Sequence, residues 1–127
     1  MSILDDIGTA LDAASVTGGV TGWTLYKSYL PDSPDLAIAV FETGGPTPDQ
    51  TQGDKFDEPS FQVRGRGEAF GYDALRTKMQ EVFDALNDAT VSGYTFIFAD
   101  SSGPIPMGYD KNDRPELSWN FSTMKAR

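Results

Sequence analysis

The chain has 127 residues, no cysteine, no histidine and a formal net charge of −9. That length fits one compact domain, and the missing residue types exclude a disulfide framework, thiolate or imidazole metal ligands, a cysteine nucleophile and a Ser-His-Asp triad. Residues 1–60 hold ten acids against Lys27 and Lys55, a charge that opposes tight binding to nucleic acid or to an anionic membrane, and no apolar run approaches the roughly 20 residues of a membrane helix.

Ile3, Leu4, Ile7, Leu11 and Ala14 recur at intervals of three and four, with acids between them, which predicts a short amphipathic helix. Ser2 suits its N-cap, Asp5 and Asp6 suit the positive end of its dipole, and Gly18 and Gly19 follow as a stop. Residues 20–29 turn β-branched and aromatic, with Trp23, Leu25 and Lys27 sharing one face of a first strand. Turn chemistry at Pro31, Asp32, Ser33 and Pro34 separates it from an apolar run at 36–42, a more buried second strand. The two are expected to form a hairpin.

Residues 43–59 are rich in glycine and proline and hold one large apolar side chain, Phe56. No regular element fits them. A connection of that length inside a compact domain is either functional or disordered, and the functional reading is an arm that orders on a partner. Residues 60–67 then alternate, with Phe61 and Val63 on one face and Gln62, Arg64 and Arg66 on the other, giving a third strand with a cationic outer face. Tyr72, Leu75, Met79, Val82, Phe83 and Leu86 define a helix of about four turns, with Arg76, Lys78, Glu81 and Asp84 on its polar side. The run at 94–99 reads as a central strand. A terminal hairpin follows: Ile105 to Tyr109, a turn at 110–113, and a strand whose Leu117, Trp119 and Phe121 share a face. The predicted fold class is α+β, a mainly antiparallel or mixed β-sheet covered by two α-helices. It forms a single domain over 1–127 with a long arm at 43–59.

Little here points to catalysis, a cofactor or a metal. The carboxylate pairs Asp5-Asp6 and Asp57-Glu58 lack any sign of the cleft that would raise a pKa for acid–base work. Asp110 to Arg114 resembles the start of a calcium loop only superficially, because Arg114 occupies a ligand position; a hairpin turn explains it better. Arg64 and Arg66 lack the glycine-rich loop, lysine and hydroxyl of a phosphate cradle. A cationic strand face and an acidic N-terminal half are complementary between copies, so Arg64, Arg66 and Phe56 are candidate contacts for head-to-tail self-assembly. The alternative is that the arginines pair within the subunit.

Taken in order, the run from Pro59 through Gly67, the helix from Tyr72 to Leu86, and the run from Gly103 through Tyr109 and Arg114 to Phe121 resemble tail terminator proteins of long-tailed bacteriophages, some of which are labelled minor capsid proteins. The resemblance is strongest between residues 59 and 121. Gly65 stands where the pattern is more regularly apolar, and Asp113 follows Asn112 where it more often reads Asn-Gly. The resemblance implies a non-enzymatic structural subunit of the virion, without cofactor. Such a subunit forms a homo-hexameric ring on the tail tube protein, ends tube polymerisation and meets the head connector or stopper at the head–tail junction, after assembly in the host cytoplasm. DNA would pass through the lumen without specific binding, and Asp54, Asp57 and Glu58 are candidate lumen or arm acids. A head completion or connector component is the alternative within assembly proteins; a small ligand-binding or adaptor domain is the alternative outside them.

Overall fold

The computed structural model describes residues 3–18, 21–45, 56–91 and 93–126. The predicted Ser2 cap and Asp54 lie outside them, as do residues 46–55 of the arm. In chain order the elements are α1 (Ile3–Ala13), β1 (Thr24–Lys27), β2 (Ala37–Glu42), β3 (Phe56–Asp57), β4 (Ser60–Arg66), α2 (Tyr72–Leu86), β5 (Phe96–Ala99), β6 (Ile105–Tyr109) and β7 (Pro115–Ala126). This is the expected α+β class.

The long strand β7 organises the sheet. On one flank it pairs antiparallel with β4, from Ser60↔Ser122 to Arg66↔Glu116. Phe56↔Ala126 and Asp57↔Lys125 continue that register across the break at Glu58 and Pro59, so β3 and β4 act as one interrupted strand. On the other flank lie β5 and, towards the start of β7, β6. Beyond β4 come β2, antiparallel, and then β1.

Both helices pack on one face of this sheet, α1 against β1 and β2, and α2 against β4, β5 and β7. Strand alternation explains the choice of face. Ile38, Val40, Phe61, Val63, Leu117, Trp119 and Phe121 point into the layer that meets Ile7, Leu11, Leu75, Met79, Val82 and Leu86. Burying each large side chain contributes about 1.5–3 kcal/mol. Phe61 stacks on Phe121 at 5.1 Å, and Phe83 meets Trp119 at 4.8 Å.

Gly65 sits in the middle of this layer. A Cβ there would stand 2.8 Å from both Leu75 Cδ1 and Met79 Sδ and 3.2 Å from Ile38 Cδ1, so the glycine marks a close approach of α2 to the strand. The register runs unbroken through it. The strand that holds it lies between β2 and β7, inside the sheet.

Three expectations need correction. β1 and β2 are parallel, Thr24↔Ala37 through Lys27↔Val40, so they are not a hairpin. The residues between them carry the chain back along the strand direction, and two arginines anchor that return. The run at 94–99 is not central: β5 pairs with β7 alone among the described strands. It is apolar on both sides because Ile97 is buried in the core, while Phe96 and Phe98 stack on each other at 4.8 Å on the other side. Lys78 is buried: its amino group donates to the Val16 carbonyl (3.0 Å), pairs with Glu81 (3.1 Å) and lies 5.6 Å from the Trp23 ring. A long aliphatic stem lets a lysine join an apolar face in this way while its head finds acceptors.

Candidate functional site

No helix covers the second face of the sheet among the described residues. Its central rows are polar: Gln62 donates to Asn120 Oδ1 (3.0 Å) across the β4–β7 pair and accepts from Arg64 Nε (2.7 Å). The Arg64 guanidinium lies 4.9 Å over the Phe41 ring. This half-buried cation therefore does what the alternation predicted, standing on the outer face with its head held flat by a ring and an amide. Exposed Phe98 and Ile105 share this side on the flank, opposite Ser122 and Ser118.

Arg66 behaves differently, which corrects the picture of a continuous cationic face. Only 3 % of it is exposed. Its guanidinium donates to the carbonyls of Pro34 (2.5 Å) and Asp35 (3.2 Å). Burial lowers its pKa, and neighbouring Arg114 adds to that.

Arg114, which the sequence offers only as part of a turn, is as deeply buried as Arg66. Its guanidinium meets Asp32 (2.8 Å), Asp35 (3.0 Å) and Asp110 (2.8 Å), and also donates to the Asp32 carbonyl (2.6 Å). Burial acts to lower its pKa, yet the three carboxylates outweigh that and raise it. Burial likewise pushes the Asp110 carboxyl up, but backbone N–H bonds from Arg114 and Asn112 and the Arg114 guanidinium hold it below its ordinary value. Arg66 and Arg114 thus pin the β1–β2 return to the end of β4 and to the start of β7. The four-residue spacing of Asp110 and Arg114 was the sequence signal; Asp32 and Asp35, some 80 positions away, gave none.

The arm closes on itself at its base. Gly45 has φ +99°, and a Cβ on it would lie 2.1 Å from the Glu58 carbonyl oxygen, so the two ends of the arm touch. Thr43 N–H donates to the Ser60 carbonyl (3.0 Å), and the Thr123 hydroxyl donates to the Pro59 carbonyl (2.6 Å). Phe56 and Asp57 belong to β3, where the sequence showed no regular element, and Asp57 and Glu58 are half-buried near the end of β7. Arg64 and Arg66 lie at mid-strand and at the far end of β4, so the structure does not gather the candidate residues into one cluster. Among the described residues, no group of three or more acidic side chains is arranged to hold a metal.

The order of elements and the arrangement of two helices on one face of a sheet built around a long C-terminal strand match known proteins. Residues 8–126 fit the sequence profile described as bacteriophage tail terminator protein. The chain belongs to the bacteriophage tail terminator family. It is thus a structural phage tail protein. Its fold is also that of a chain in the solved virion of a native gene transfer agent particle, with a TM-score of 0.73 over 99 % of this chain and 96 % of that one, at 15 % identity. No curated protein sequence matches it.

Proposed function

We propose that this tail terminator family member forms a closed ring, six-membered, on the end of the tail tube, stops tube polymerisation there and offers its other surface to the head connector. The match to the family over residues 8–126 carries this reading. Two features of the fold support it. Both flanks of the sheet end in strands, β1 and β6, that pair on one side only among the described strands, and the open sheet face presents Arg64 and exposed apolar side chains to a neighbour. Contacts between two different patches repeat head-to-tail and close into a ring when the rotation permits. The ring acts by contact and not by catalysis.

The test is the length distribution of tails, by electron microscopy, in particles made without this protein. Overlong headless tubes are expected. Headless tails of normal length would reassign the chain to head–tail joining, and normal tails with heads attached would remove it from the junction.

A further inference from the structure

Residues 29–35, the return between β1 and β2, are anchored at both ends. Ser28 N–H donates to the Val40 carbonyl (2.8 Å) and Thr24 N–H to the Leu36 carbonyl (3.4 Å), so the paired strands fix the points where the return leaves and rejoins the sheet. Between those points it is held lightly. Asp32, Ser33, Pro34 and Asp35 are exposed, and no side chain of 29–35 joins the buried core among the described residues. Tyr29 meets Tyr26 edge-on at 5.4 Å. The other described bonds that tie the return to the body of the molecule run through two guanidiniums. Arg66 takes the carbonyls of Pro34 and Asp35, and Arg114 takes the Asp32 carbonyl and the carboxylates of Asp32 and Asp35.

The groups beneath the return do not need it to stay in place. The Asp32 and Asp35 side chains are 74 % and 57 % exposed, so their pairs with Arg114 are already open to water and individually weak. Asp110 is 18 % exposed and belongs to the turn before β7, not to the return; its carboxylate keeps Nε and the backbone N–H of Arg114 when the return lifts. Lifting therefore strands no buried charge, because water reaches Arg66 and the freed side of Arg114 while Asp110 remains. The two guanidiniums also disfavour each other, and Arg114 helps to lower the Arg66 pKa, so the closed return covers both against their repulsion. By strand alternation Arg66 stands on the same side of β4 as Arg64. We propose that residues 29–35 are a cover that opens about its two anchored ends while the sheet and helices stay folded, and that opening adds Arg66 and Arg114 to Arg64 on the open face. The closed cover is an autoinhibitory contact, since it masks cations that an acidic surface would meet. It is a property of the free subunit and does not rest on the ring reading.

The experiment treats the free chain with phenylglyoxal, which modifies accessible guanidiniums, and follows each arginine by peptide mass spectrometry. With opening fast relative to modification, the rate at a covered arginine follows the open population. Replacing both Asp32→Ala and Asp35→Ala removes the two exposed pairs and should raise modification of Arg66 and Arg114 roughly threefold or more. Arg64 and Arg76 serve as references and should not change, and the unfolding temperature should stay close to that of wild type. A rate at Arg66 equal to wild type overturns the cover, as does a rise that the references share or that comes with loss of the cooperative unfolding transition. A second measurement needs no substitution. Salt screens exposed pairs, so raising it should speed Arg66 modification in the wild-type chain and change little in the double variant; a wild-type rate independent of salt also overturns the proposal.

Discussion

Arg114 shows how one buried cation organises distant chain. Three carboxylates converge on it, and a buried charge is tolerated only when its hydrogen bonds are met. Asp110 is the partner whose titration is informative. Its folded pKa lies below the ordinary carboxylate value, so its contribution is present above about pH 4 and is lost as pH falls through the folded pKa. Asp110→Asn should therefore lower the unfolding temperature at pH 7, and the gap to wild type should narrow towards pH 2.5; a gap constant with pH would sink the charge argument. Gly65 makes a purely steric prediction. Gly65→Ala drives a methyl group into Leu75, Met79 and Ile38, and overpacking of this kind costs about 1–3 kcal/mol, readable as a shift in the denaturant midpoint with unchanged slope.

Among the elements, the arm is the one whose two described ends meet. Gly45 and Glu58 already touch, so joining residue 45 to residue 56 through a short linker closes a loop whose ends are in place, at little entropic cost. Retaining Phe56 and Asp57 preserves their pairing with Lys125 and Ala126. The excised protein should unfold within a few degrees of wild type, and we propose that it fails to attach to tail tubes. Wild-type attachment in a sedimentation assay would remove the arm from the interface. The parallel β1–β2 pair makes the opposite point: its connection holds through Arg66 and Arg114, so the element depends on residues far along the chain.

For the whole molecule, assembly should respond to the open face while the monomer does not. Arg64 touches Phe41 and Gln62 and no carboxylate among the described contacts. We propose that Arg64→Glu leaves a folded subunit, costing about 1 kcal/mol for the lost stacking, but weakens subunit pairing or tube attachment by placing a negative charge on that face. Unchanged incorporation into particles would exclude Arg64 from the interface. Arg66 lies sealed under the β1–β2 return while that return is closed, and then reaches a neighbour only through the loop it holds.

Local patterns in the sequence determined both helices, the strand at 60–66, the terminal hairpin and the shared face of Leu117, Trp119 and Phe121, because side-chain period follows directly from backbone geometry. The family too was legible, in the runs from Pro59 to Phe121. Only the tertiary structure decided that β1 runs parallel to β2, that β5 lies at an edge, that Lys78 and Arg66 are buried, and that Phe70 stands exposed in a left-handed turn. Those outcomes depend on which partner each segment meets across long sequence separations: Asp32 and Asp35 with Arg114, Pro34 with Arg66, Val16 with Lys78, Asp113 with Phe70. Periodicity says which face of a strand is apolar. It carries no information about which strand lies beside it, because pairing is settled by the summed packing and hydrogen bonding of the whole sheet.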